Sequence, residues 1–211
     1  MKFLKLLRDI RTLRPLLSLR YSGYIFEAGW FESVKTQASV DRSGKPIPWI
    51  SYPCIRFLDE RLPPQSCMFE FGSGNSTLYF AGRVRSLTSV EHDLKWVMSL
   101  QSKLPEHAAL LHIPLDENGE YARSAVKTKK RYDVIFIDGR DRVNCIRYSM
   151  KCLKKKGVII LDDSERDEYN EGSGFLKKRG FKRLDFTGMA PTYRDTKCTS
   201  IFYRNANVFN L

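Results

Sequence analysis

The chain has 211 residues, 42% of them hydrophobic, with 36 Lys and Arg against 24 Asp and Glu and a formal net charge of +12. The length suits one α/β domain with added N-terminal structure, and the apolar fraction supports a core and excludes a disordered chain. No run approaches the roughly 18 apolar residues that a membrane span needs. The basic balance favours acidic partners such as phosphorylated sugars, anionic lipid surfaces or nucleic acid, although basic residues spread along the chain equally suit solvated faces. None of the five cysteines (Cys54, Cys67, Cys145, Cys152, Cys198) forms a CxxC pair, which points to reduced thiols in a reducing, cytoplasmic compartment.

Residues 1–20 carry Lys2, Lys5, Arg8, Arg11, Arg14 and Arg20 against the single acid Asp9. Phe3, Leu6, Leu7, Ile10 and Leu13 recur at helical spacing, predicting a basic amphipathic helix that runs up to Pro15. Such a helix can lie on an anionic bilayer, which would make the protein membrane-peripheral, or dock on its own domain or on a second subunit of a homodimer. Docking is the preferred reading. Interrupting charges and the lack of a small-residue cleavage site argue against a secretory signal. Residues 24–34 are aromatic-rich and read as a helix, 41–48 as a Gly/Pro loop, and 49–62 as a helix stopped by Pro63-Pro64. Residues 1–64 are thus expected to form a helical cap beside a second unit, residues 65–211.

From there strands alternate with helices. Strands are predicted near 67–71, 85–90, 108–113, 132–137 and 157–161, with helices near 75–82, 94–104, 119–129 and 141–154 between them. Residues 181–186 and 199–203 read as an antiparallel hairpin. The expected fold class is α/β: a mostly parallel, Rossmann-like seven-stranded sheet with a C-terminal antiparallel hairpin and the N-terminal helical cap.

The chemistry gathers after the strands. Glu70-Phe71-Gly72-Ser73-Gly74-Asn75-Ser76 is a strand–Gly-x-Gly–helix unit, in which glycine turns the chain and leaves backbone open to a ligand near a helix N-terminus. Ligands of open parallel sheets bind beyond the strands' C-terminal ends. Those ends carry Glu70, Glu91-His92, Asp116, Asp138-Gly139-Arg140 and Asp162-Asp163. Glu91, 17 residues past Gly74, is placed to accept both ribose hydroxyls, or else to face the dipole of the helix behind it.

These motifs make residues 67–203 resemble the class I S-adenosylmethionine-dependent methyltransferases, whose first motif has a glycine where Ser76 stands. A nicotinamide-binding pattern would need glycine at Thr77. The resemblance implies that Glu70, Gly72, Ser73, Gly74, Asn75 and Ser76 hold the methionine part and Glu91 the ribose. It places His92 and Asp116 against the adenine and counts Asp138 among the cofactor contacts. The segments ending in Asp138 and in Asp162-Asp163 resemble those of metal-dependent O-methyltransferases acting on catechols and antibiotic sugars. That likeness implies Mg²⁺ on Asp138, Asp162 and Asp163, where hard oxygen ligands would position a hydroxyl and lower its pKa. Alternatively, Asp162 or Asp163 caps a helix after Ser164.

Asp138 and His92 are the candidate general bases, with Asp141 a third. Arg140, Arg142 and Arg166 either neutralise these carboxylates or hold an anionic acceptor. Tyr169, Pro191 and Tyr193 are expected at the mouth. The function this implies is O-methylation of a small polar acceptor such as a saccharide. RNA or protein methylation and a catalytically inactive binding protein are the alternatives. Basic residues are not interleaved with aromatics as base-stacking platforms require, so nucleic acid is the less favoured partner.

Overall fold

The structure, a computed structural model, describes residues 9–116 and 119–211. The first described helix, α1 (Ile10–Ser18), passes through Pro15 instead of stopping there, and none of its residues is buried. Docking of this segment on its own domain is therefore not what the described residues show. Its residues 1–8 lie outside them. The helix expected over 24–34 is two short ones, α2 (Tyr24–Glu27) and α3 (Trp30–Thr36). They break at Gly29, at φ +84°, where a Cβ would also strike the Asp41 backbone, so that glycine is required. α4 (Tyr52–Arg61) begins later than predicted, with Pro53 in its first turn, where a missing N–H costs nothing.

The sheet is built from β1 (Cys67–Phe71), β2 (Ser86–Glu91), β3 (Ala108–His112), β4 (Tyr132–Ile137), β5 (Leu153–Leu161), β6 (Lys182–Gly188) and β7 (Lys197–Tyr203). Its order is β3-β2-β1-β4-β5-β7-β6, with β1 to β5 parallel and β7 antiparallel to both β5 and β6. The predicted parallel sheet and closing hairpin are both present. β5 starts four residues before the predicted Gly157. Its lysine run bulges, so that Tyr132 pairs with Leu153 but Val134 with Val158.

Alternate residues of each strand face opposite sides. Met68, Val134, Phe136, Ile160 and Ile201 pack under the cap's Ile50, Cys54, Ile55 and Leu58 and under Phe80 of α5 (Asn75–Ala81). Phe69, Phe71, Ile135, Ile137 and Phe202 pack under α7 (Glu120–Lys127), α8 (Arg142–Ser149) and α9 (Asn170–Lys177). The remaining helix, α6 (Leu94–Gln101), joins β2 to β3. The cap is sewn to the hairpin by backbone and side-chain bonds: Tyr52 N–H donates to the Met189 carbonyl at 2.8 Å and the Ser51 hydroxyl to that of Phe186 at 2.8 Å. One core therefore spans the cap and the sheet.

Candidate active site

Between β1 and β4 the strand order reverses, and there the turn after β1 meets the turn after β4. Gly72 holds φ +88°, and a Cβ on it would come within 2.9 Å of the Gly139 backbone. Gly74 is different: its backbone is extended, and a Cβ would only touch Trp96 at 3.7 Å. One glycine of the pair is thus conformationally required. Glu70 is fully buried and accepts hydroxyl hydrogen bonds from Ser76 (2.5 Å), Thr77 (2.7 Å) and Ser89 (2.5 Å), while burial raises its carboxyl to about 7. Glu70 does not line the cleft. It lashes the start of α5 to β1 and β2, which also explains the serine at the motif's last glycine position.

A cleft of about 330 Å³ opens over this junction, lined by Gly72, Ser73, Ser76, Glu91 and His92 on one side and by Asp138, Gly139, Arg140, Arg142, Asp163 and Arg166 on the other. Glu91 accepts from the backbone N–H groups of Ser73 (2.9 Å), His92 (2.8 Å) and Asp93 (3.1 Å), with the Ser73 hydroxyl at 3.2 Å. His92 Nδ1 stands 2.6 Å from Glu91. Asp116 is not brought here. Its carboxylate accepts from Glu120 N–H at 2.9 Å, at the start of α7.

The three aspartates do converge, with one oxygen of each lying within 4.8 Å of the others. Lys197, on β7, stands among them, its Nζ 2.6 Å from Asp162 and 3.0 Å from Asp163. Arg142 pairs with Asp138 at 3.0 Å and Asp163 at 3.3 Å, and Arg166 pairs with Asp163 at 2.9 Å. Arg142 also donates to the backbone carbonyls of Asp138, Gly139 and Asp162, knotting the ends of β4 and β5. Burial disfavours the Lys197 charge, but Asp162, Asp138 and Asp163 together outweigh it and raise its pKa. Burial raises Asp138 against the opposing pull of Arg142 and Lys197. This donor set fits Mg²⁺ poorly, because an ion bound by the three carboxylates would have to displace the ammonium and guanidinium groups paired with them. Neither Asp162 nor Asp163 caps a helix: Asp163 sits in a left-handed turn at φ +53°. Asp141 heads α8, where its carboxylate accepts from Asn144 at 3.0 Å, and lines neither cleft.

A second cleft of about 220 Å³ adjoins the first. Gln37, Ala38, Ser39 and Trp49 of the cap form one wall, and Ser73, Gly74, Asn75, Ser76, Trp96 and Asp138 the other. Asn75 ties the walls together by donating to the Ser39 carbonyl at 2.7 Å, and the Trp96 indole donates to Ser73 at 2.7 Å. Ser73, Ser76 and Asp138 line both clefts. Sequence reasoning missed Lys197, Trp49, Trp96 and Gln37. Tyr193 was expected at the mouth and stands edge-on to Trp49, its carbonyl accepting from Trp30 at 2.8 Å.

No protein-family model and no curated protein matches the sequence. Solved structures do match in shape. A candidate O-methyltransferase from Klebsiella pneumoniae aligns with TM-score 0.57 at 16% identity, over 92% of this chain and 96% of that one. Precorrin 8W decarboxylase from Methanobacterium thermoautotrophicum aligns with TM-score 0.55 at 19% identity, over 80% and 97%. An rRNA methylase from Streptococcus thermophilus aligns with TM-score 0.52 at 16% identity, over 72% and 96%. With the observed strand order, these likenesses establish that the chain has the Rossmann-like methyltransferase fold.

Proposed function

We propose that the protein transfers a methyl group from S-adenosylmethionine, bound in the first cleft, to a hydroxyl of a saccharide held in the second. The observation that carries this reading is the shared floor: of the three residues lining both clefts, only Asp138 can take a proton. The first cleft suits the cofactor, since Gly72 and Gly139 leave its floor bare and carboxylates on both sides suit ribose hydroxyls and a cationic sulfur. When bound, the cofactor supplies the methyl group. The chain's own residues orient the acceptor, exclude water and receive its proton at the Asp138 carboxylate, whose raised pKa makes it the better base. His92 is paired with Glu91 and lines the first cleft alone.

The saccharide reading rests on Trp49 and Trp96, both about half exposed, beside the Gln37 amide. Flat indole faces cover the C–H faces of a sugar ring while amide and hydroxyl groups pair with its oxygens. No Lys or Arg lines this cleft, which favours a neutral acceptor over the phosphate-rich backbone of RNA. Among the described residues no helix is long and apolar enough to cross a membrane. The five free cysteines, four of them buried, support the cytoplasmic placement that belongs to this proposal.

Calorimetry with S-adenosylmethionine, followed by methyl-transfer assays on a saccharide panel, tests the reading. Trp49→Ala is expected to raise the acceptor KM about tenfold, the size of one lost aromatic contact, and to leave cofactor affinity unchanged. Absent cofactor binding would sink the enzyme reading. Cofactor binding without turnover on any sugar would leave the fold as a binding protein or one with another acceptor.

A further inference from the structure

We propose that Lys197 is a built-in cation, standing where a divalent metal would have to sit and making this site metal-independent. Its ammonium stands 2.6 Å from Asp162 and 3.0 Å from Asp163 as an ion pair, and it donates a hydrogen bond to the Trp49 carbonyl at 3.0 Å. The third carboxylate, Asp138, is paired with Arg142 at 3.0 Å. A magnesium ion would need oxygens at about 2.0–2.1 Å in an octahedral set, and here two of the three carboxylates would have to abandon a buried ammonium to provide them. The Lys197 side chain is only 11% exposed, so moving it out to make room would strand the carboxylates it neutralises. Because its hydrogen bond holds the Trp49 carbonyl, the same ammonium fixes the cap wall of the second cleft against the carboxylates. Lys197 is a positioning residue: its charge is balanced by Asp162 and Asp163 and its hydrogen bond goes to the cap.

Manganese titration followed by calorimetry and electron paramagnetic resonance tests this without reference to any methyl acceptor. Wild-type protein is expected to bind no manganese at this site up to millimolar concentration. Lys197→Met frees the carboxylates and is expected to gain one manganese site, at least tenfold tighter than any binding by wild type, which a further Asp162→Asn change removes. A wild-type site of one manganese per chain, lost in Asp162→Asn, would overturn the proposal. So would a folded Lys197→Met protein with no gained site. Should that variant fail to fold, the wild-type titration with and without Asp162→Asn still decides.

A separate observation supports a second inference: we propose that α1 lies on an anionic bilayer surface. Ile10 and Leu17 are 74% and 61% exposed, and with Leu13 and Leu16 they form one apolar arc of a helix with no buried residue. Arg14 and Arg11 border one edge of that arc, Arg20 follows, and Lys2, Lys5 and Arg8 precede it in sequence. An apolar face bordered by cations matches a headgroup layer of anionic lipid. Co-sedimentation with phosphatidylglycerol vesicles is expected, with none on phosphatidylcholine alone. It should be weakened at least tenfold by Leu17→Asp with Ile10→Asp. Equal binding to both vesicle types, or none, would overturn the assignment, as would a dimer abolished by the same substitutions, which would give the face to a second copy.

Discussion

The two halves of the site answer burial of charge in opposite ways. On the β1–β2 side the carboxylates are satisfied by hydroxyls and backbone N–H groups: Glu70 by Ser76, Thr77 and Ser89, and Glu91 by the turn it closes. On the β4–β5–β7 side they are satisfied by full cations, Lys197, Arg142 and Arg166. Neutral donors can exchange for the hydroxyls of a ligand at little electrostatic cost, whereas a buried ion pair that loses one partner leaves the other charge stranded. The first half is therefore suited to receive a ligand and the second to hold its shape. Asp138 stands at the boundary, held by Arg142 and facing both clefts.

The largest effect that would break this contrast is at that boundary. Asp138→Asn is expected to lower kcat by roughly 10²–10⁴, the usual worth of a positioned base, with cofactor affinity nearly unchanged. An unchanged kcat would remove Asp138 from catalysis. Next, Arg142→Ala strands the Asp138 charge, leaves Asp163 to Lys197 and Arg166, and unties three carbonyls. Urea denaturation should show a loss of about 3–5 kcal/mol, and a loss below about 1 kcal/mol would mean the second half is not held by its cations.

A smaller change belongs to the receptive half. Glu91→Ala should weaken S-adenosylmethionine by roughly 10–100-fold in calorimetry, as expected for hydrogen bonds to a charged group, while the fold persists. Retained affinity would make Glu91 only a tie for the Ser73 turn. The remaining effect is a pH dependence from Glu70, whose folded pKa of about 7 exceeds its ordinary 4.5. Between those values the folded state holds the extra proton, so stability should fall as pH rises from 4.5 to 7 and then level off. Glu70→Gln should flatten that slope in thermal melts, and a slope unaltered by it would place the titration elsewhere.

Much of this was legible in the order of residues. Apolar β-branched runs ending in Glu91, Asp138 and Asp162 marked strands whose ends share one edge of a parallel sheet, and Gly72 with Gly74 marked the turn. Asp116 misled because an acid after a strand serves equally well at a helix start. The need for glycine at the two-helix break was invisible because the Asp41 backbone that crowds Gly29 arrives from a loop twelve positions later. Lys197 was hidden for a similar reason. It follows Asp162 by 35 residues, and only the pairing of Leu161 with Ser200 brings the start of β7 beside the end of β5.

The sequence by itself determined the layered α/β architecture, the strand ends that carry acids and the two-glycine turn after β1, since periodicity and backbone freedom are local properties; which of the two glycines is required depends on the Gly139 backbone. Tertiary structure alone decided which charges meet. The same three aspartates would suit a metal if nothing else reached them, but strand pairing delivers a lysine from the far end of the chain, and the electrostatics of a buried site depend on every group within a few ångströms.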